Sequence, residues 1–285
     1  MAGLIVRKPD GTALFDTQYI THGLVKSAYL TPDERWYRYY LRADSADPDN
    51  GRNYNPGSGV SGEQMFSITV NNAINPICFI VGKGQLAGTY RSGNTIKFFY
   101  NGGDQNTKAY VFDLMSDNVP GNKPWLKTRR ADGSISFNSL QPPLNVLYSI
   151  QTPAPANPDA YRRWLNPIAG GSWQAIQSWD NGKSPIWHYV ADVALPAGIE
   201  YAAFLNYARL CRAWWTQPSL QIVGMSEGAY GRVGGISFMF GTAAATTELR
   251  ANTNQSITPT IEQLATDRYP TALVIRTDNL PFPFN

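Results

Sequence analysis

The chain has 285 residues, enough for one large core or two ordinary ones, with 43% hydrophobic, 13% aromatic and only 16% charged residues. Its formal net charge is +3, with cations and anions interspersed and no basic block, so no nucleic-acid footprint is visible in it. The longest apolar runs, such as 77–81, fall far short of a membrane span, which argues against membrane insertion.

Residues 1–41 read as strands, with a first reversal at Pro9-Asp10-Gly11 and aromatic β-prone runs at 23–30 and 36–41. The segment 44–62 is polar and rich in Gly, Pro and Asn, and reads as a long surface loop. Strands are expected again at 65–70, 77–81, 96–100 and 110–114. Prolines 142, 143, 153, 155 and 158 stiffen the next stretch, and a strand-like piece at 144–150 interrupts it. The expected division is an N-terminal β domain over 1–145, a Pro-rich linker over 146–160 and a Trp-rich domain over 161–285.

Six of the eight tryptophans lie between Trp164 and Trp215. Segments 159–165 and 172–179 are expected as short helices, each opened by a capping residue. Over 199–215 the spacing of Tyr201, Phe204, Leu205, Ala208, Cys211 and Trp215 predicts a helix. Strands are expected at 222–224, 235–240 and 272–276, and the stretch 242–258 reads as an exposed edge or loop. The apolar Pro-rich tail 280–285 cannot be a central strand, and docks either on a neighbour or on its own domain. The expected fold class is mainly β: an N-terminal β-sandwich-like domain, then a second β-rich domain with a few short helices.

One phrase occurs twice. Residues 4–17 and 126–139 share Leu, two residues, two cations, one residue, Asp-Gly, a hydroxyl residue, two residues, Phe, Asp or Asn, and another hydroxyl residue. Asp-Gly between β-prone runs is a hairpin signal, because Gly takes the positive φ of the turn. The phrase contains no nucleophile beside a base, no phosphate cradle and no metal cluster, and points to a built object.

Several motifs have a chemical form. Gly224-Met225-Ser226-Glu227-Gly228 matches the G-x-S-x-G nucleophile elbow, but glycines crowd the region after it and both histidines, His22 and His188, precede Ser226. Gly82 to Gly88 resembles a dinucleotide loop but lacks the helix that would meet the pyrophosphate, so it reads as a turn. Asp44, Asp47, Asp49 and Asn50 share one loop without the spacing of an EF-hand. Glu200, Glu227 and Asp180 lie in the Trp-rich half, where carboxylates and aromatic platforms could serve a sugar-cleaving site. Cys78 and Cys211 are expected as buried free thiols. No apolar segment of a secretory signal precedes Arg7 and Lys8, so a reduced cytoplasmic setting is expected. No catalytic residue, cofactor or metal is assigned. Trp173, Trp179, Trp187, Trp214 and Trp215 are candidate partner or glycan contacts, with core filling as the competing role.

The opening Gly3-Leu4-Ile5-Val6, Asp10-Gly11 and Leu14-Phe15-Asp16-Thr17 resembles the start of structural proteins from the tail tip or baseplate of tailed, siphophage-like bacteriophages. Residues 126–139 look like the second such phrase, so the resemblance covers roughly the first 150 residues, about a domain's length. It implies a non-enzymatic virion component, assembled in the host cytoplasm, whose N-terminal β domain attaches to the tail. It further implies other phage tail proteins as partners, a homo-oligomer with a trimer favoured, and contact with a host surface glycan. The alternative is a carbohydrate-binding module or glycosidase acting on a cell-surface polysaccharide, with the tryptophans as stacking platforms.

Overall fold

The computed structural model describes residues 5–16, 19–37, 39–41, 47, 50–56, 62–117, 124–179, 184–215, 221–243, 247–250 and 260–285. Strands β1 (Ile5–Arg7) and β2 (Ala13–Asp16) form the first hairpin, followed by β3 (His22–Tyr29) and β4 (Thr31–Tyr37). Strand β5 (Tyr39–Leu41), inside the expected β-prone run, pairs with β6 (Tyr54–Pro56), which lies in the stretch expected as loop beside a 3₁₀ turn, Gly51–Asn53. The first half continues with β7 (Gly62–Val70), β8 (Ile77–Val81), β9 (Gln85–Ser92), β10 (Thr95–Asn101) and β11 (Lys108–Leu114). The second hairpin is β12 (Lys127–Arg129) and β13 (Ile135–Asn138). Then come β14 (Tyr148–Gln151), β15 (Ser172–Trp179), β16 (Ser184–Ala194), β17 (Tyr201–Leu205) and β18 (Leu210–Trp215). The chain closes with β19 (Gln221–Arg232), β20 (Gly235–Thr242), β21 (Thr247–Arg250), β22 (Thr260–Glu262) and β23 (Thr271–Arg276). The mainly β class is thus observed.

A four-stranded antiparallel sheet runs β4-β7-β10-β9. A larger sheet runs β14-β23-β17-β8-β19-β20-β16-β15, with β11 and β3 continuing from β8 and β18 and β22 from β19. Strands from both sides of residues 146–160 hydrogen-bond in this sheet: Ala203 pairs with Ile80, and Gly231 with Val81. Within the Pro-rich stretch itself, β14 pairs with β23 from Tyr148–Val274 to Gln151–Thr271.

Central strands of the larger sheet, such as β11 and β20, are buried on both faces, so they read as continuous apolar runs. On β11, Ala109 and Val111 face a core shared with Ile68 and Val70 of β7 and Phe98 and Tyr100 of β10. Tyr110 and Phe112 face the opposite core with Phe79, Leu24 and Ile275. In the second half the sheet curls around a third core containing Tyr189, Tyr201, Val223, Phe238, Phe240, Ile261 and Val274. All eight residues of β20 are buried.

The segments expected as helices take other forms. Residues 172–179 are β15, and 199–215 hold β17 and β18. The error has a physical cause. Tyr201 and Ala203 face one core while Ala202 faces another, so a strand buried on both sides loses its alternation and mimics helical spacing. Segment 159–165 contains a tight turn, in which Arg162 N–H donates to the Asp159 carbonyl at 3.0 Å and Asp159 N–H to the Arg163 carbonyl at 2.8 Å.

The C-terminal tail packs on its own chain. Ser27 and Phe284 exchange backbone hydrogen bonds at 2.8 Å each, and Ser27 Oγ–H donates to the Pro281 carbonyl at 2.6 Å. Phe282 sets its ring edge-on to Tyr29 at 4.8 Å between centroids and lies 5.6 Å from Tyr110. These apolar residues cover the outer face of β3 and β11.

Candidate functional site

The repeated phrase folds into the same object twice. In the first hairpin Lys8 N–H donates to the Thr12 carbonyl at 2.8 Å and Gly11 N–H to the Lys8 carbonyl at 2.9 Å. In the second, Arg130 N–H donates to the Ser134 carbonyl at 2.9 Å and Gly133 N–H to the Arg130 carbonyl at 3.0 Å. Gly11 and Gly133 have φ of 85° and 82°, the left-handed region that a side chain disfavours. Asp10 Oδ1 accepts from Thr12 N–H at 2.9 Å and Thr12 Oγ–H at 2.6 Å, and Asp132 Oδ1 from Ser134 N–H at 2.9 Å and Ser134 Oγ–H at 2.5 Å. Arg7 Nη1 donates to the Gly11 carbonyl at 2.9 Å, and Arg129 Nη1 to the Gly133 carbonyl at 2.8 Å. Each hairpin has its bulge at the same place, after Val6 and after Thr128. The hydroxyls of Thr12 and Ser134 hold the carboxyls of Asp10 and Asp132 below the usual carboxylate range, because both donate to the charged form.

The two hairpins meet in space. Val6 of the first and Leu126 beside the second pack on a small cluster of Met115, Ile135 and Phe137. Thr21, just past the first hairpin, donates its N–H to the Ser136 carbonyl at 3.2 Å and accepts from Met115 N–H at 3.0 Å. Among the described residues, β1 pairs only with β2 and β12 only with β13, so each hairpin keeps an outer edge. Three large hydrophobic residues within or beside the hairpins are exposed: Ile5 at 49%, Tyr19 at 70% and Trp125 at 82%. Sequence reasoning centred on the Trp-rich half missed Tyr19 and Trp125; their position against the repeated phrase is the signal that could have found them.

The candidate tryptophan contacts separate. Trp173 is half-buried against the third core, edge-on to Tyr189 at 5.5 Å between ring centroids. Trp187 is 39% exposed on β16, across from Ala175. Trp179 lies on β15, and Trp214 and Trp215 on β18, with their side chains outside the described residues.

Ser226 sits in the middle of the continuous strand β19, not at the strand-to-helix turn that a nucleophile elbow requires. Its hydroxyl accepts from Gln85 Nε2 at 2.9 Å, and the same amide donates to the Thr242 carbonyl at 2.9 Å. Ser226 pairs with Gly241 of β20, and β16, which carries His188, lies on the far side of β20. The Cα atoms of Ser226 and His188 are therefore two strand spacings apart, roughly 9–10 Å. Gln85 fills the space between them. A Cβ added at Gly241 would lie 2.4 Å from Gln85 Oε1 and 3.0 Å from His188 Nδ1, and one at Gly228 would lie 2.5 Å from Gln85 Cβ. Gly228 of the apparent elbow and Gly241 of β20 thus make room for Gln85, a buried glutamine of the apparent dinucleotide loop. Nearby, Asn101 donates to Glu63 and to the Thr242 carbonyl, the latter at 2.7 Å, while Thr242 Oγ–H donates to Glu63 at 2.7 Å.

Glu227 and Glu200 are each held by a cation. Glu227 is buried and takes two hydrogen bonds from Arg209, at 2.7 and 3.0 Å. Glu200 is held by Lys108 Nζ at 2.8 Å and Thr277 Oγ at 2.6 Å. Asp180, Asp44 and Asp49 lie outside the described residues. Among the described residues no three His, Cys, Asp or Glu side chains stand together as a metal site, and no helix is long and apolar enough to cross a membrane. Cys78 and Cys211 are free and buried, and burial pushes the Cys78 thiol up to about 12. Compared with protein-family models, curated proteins and solved structures, the chain matches none of them.

Proposed function

We propose that this chain is a structural component of a bacteriophage tail tip or baseplate that assembles with copies of itself and with other tail proteins. The observation that carries the reading is the doubled hairpin, whose two copies meet on Met115, Ile135 and Phe137. Its outer edges, with Ile5, Tyr19 and Trp125 exposed around it, suit attachment by strand addition and apolar burial. Burial of about 25 cal/mol per Å² over a large obligate interface amounts to tens of kcal/mol before entropy is subtracted. A trimer is the homo-oligomer that the resemblance to tail tips favours, and closed rotational symmetry is the general rule for oligomers.

Electron microscopy of tailed particles, with an antibody against this chain, tests the reading. Label at the distal end of the tail is the expected result. Label absent from the particles, or confined to the capsid, overturns it. Native mass measurement of the purified chain adds a second test, with a trimer expected.

A further inference from the structure

A cleft of about 590 Å³ opens between the turn at 158–164 and the segment 262–266, lined by no residue of the twin hairpins. That volume lies within the roughly 300–1,000 Å³ typical of small-ligand sites. Its two walls are tied together before any ligand arrives, because Trp164 and Ile261 exchange backbone hydrogen bonds at 2.8 Å each. On one wall Tyr161 is 77% exposed, yet the turn that carries it is fixed. Asp159 Oδ1 accepts from Tyr161 N–H and Arg163 N–H at 2.9 Å each, Asp159 Oδ2 pairs with the Arg163 guanidinium, and that guanidinium lies 4.8 Å from the Tyr161 ring centroid. A large aromatic ring is thereby held in solvent on a rigid support, with the half-buried Trp164 behind it in the lining.

Backbone conformation singles out the same place. Among the described residues, four other than glycine have positive φ, and two of these are asparagines, which tolerate it. The other two, Arg162 at 58° and Gln263 at 56°, both line this cleft, one on each wall. Such strain persists where the surrounding structure fixes it, and it concentrates at ligand clamps.

The polar groups determine the ligand class. Arg162 offers donors, Glu262 acceptors, and Gln263 and Thr266 both. One cation and one carboxylate line the cleft, and Asp159 and Arg163 pair with each other, so no excess charge selects an ion. A rigid aromatic face beside balanced donors and acceptors fits a ring with an apolar C–H face and a rim of hydroxyls. We propose that this cleft binds a neutral saccharide, with the Tyr161 ring as the platform and Glu262 and Gln263 bonding its hydroxyls.

The inference does not depend on the tail-tip reading, and a protein of any copy number can satisfy it. The full chain is applied to a printed array of neutral and charged microbial glycans, alongside Tyr161→Ala, Glu262→Gln and the control Trp187→Ala. Tyr161 is exposed, so its removal leaves the fold in place, and a melting curve verifies that. The expected result is binding to at least one neutral glycan, weakened at least tenfold by Tyr161→Ala and by Glu262→Gln and unchanged by Trp187→Ala. The proposal is overturned by binding confined to charged glycans, by binding that survives Tyr161→Ala, or by no binding at all.

Discussion

The two hairpins have nearly the same local structure, but their second strands have different surroundings. Turn hydrogen bonds, bulge position, glycine φ and the aspartate that accepts from the following hydroxyl residue all coincide. Even the backbone bond just beyond repeats, with Tyr19 N–H donating to the Asp16 carbonyl and Gln141 N–H to the Asn138 carbonyl, both at 3.0 Å. Yet Tyr19 is 70% exposed while Gln141 is fully buried and accepts from Ser116 N–H at 2.9 Å. Every residue of β13 is buried, whereas Ala13 at the same position of β2 is exposed. The contrast teaches that a short phrase can determine a turn without determining which side of it meets a core.

The sharpest way to break the comparison is Phe137→Ala. Phe137 is 6% exposed in the shared cluster, so its truncation is expected to cost about 3–5 kcal/mol in urea-induced unfolding. A loss under about 1 kcal/mol would mean that the second hairpin is no better anchored than an ordinary surface element.

A smaller effect is expected from placing Ala at each turn glycine. No neighbouring atom lies within 4 Å of a Cβ at either Gly11 or Gly133, so both substitutions are costly only through φ. That cost is about 1–2 kcal/mol at each position. For Gly133→Ala it should appear in global stability; for Gly11→Ala it should appear as faster amide exchange confined to the first hairpin. Equal losses in global unfolding would show the two hairpins equally coupled to the core.

Acid offers a third distinction. Asp10 and Asp132 have depressed folded pKa values from equivalent bonds, and Asp117 has one from Lys127 and Arg129 of the second hairpin. A depressed carboxyl contributes stability above its unfolded pKa, about 3.9, and loses it as pH falls through the folded value. Side-chain carboxyl NMR should therefore find Asp10 and Asp132 titrating together below the ordinary range. Asp117 should do so too, and its shift should shrink in 1 M salt because its partners are exposed cations. A normal value for either turn aspartate would remove the claimed equivalence.

The least effect on folding is expected at Ile5. It is 49% exposed, so Ile5→Ala should leave stability within ~0.5 kcal/mol of the original. On the assembly reading it should nonetheless weaken oligomer formation, which sedimentation velocity would detect.

The β-rich class, the turns at Asp10-Gly11 and Asp132-Gly133, and the buried thiols were legible in the sequence, because each depends on short-range chemistry or on apolar content. Strand β17 was not, since burial on both faces erases the alternation that distinguishes a strand, and β18, which does alternate with Leu210 exposed and Cys211 and Ala213 buried, was hidden by the helical spacing running through it. Nor was the Tyr161 cleft, whose walls lie about a hundred positions apart and meet only through the Trp164–Ile261 bridge.

By itself, then, the sequence determined that the chain would be extended, where it would reverse twice in the same way, and which aspartates would tie those reversals. Those features rest on φ preferences and on hydrogen bonds between residues two to four positions apart. Tertiary packing alone placed Gln85 in the gap left by Gly228 and Gly241, laid the tail over β3 and β11, and buried β13 of the second hairpin while Ala13, at the matching position of the first, stayed exposed. Those outcomes depend on close packing between segments far apart in the chain, where the same residue is stabilised or exposed according to what lies across from it.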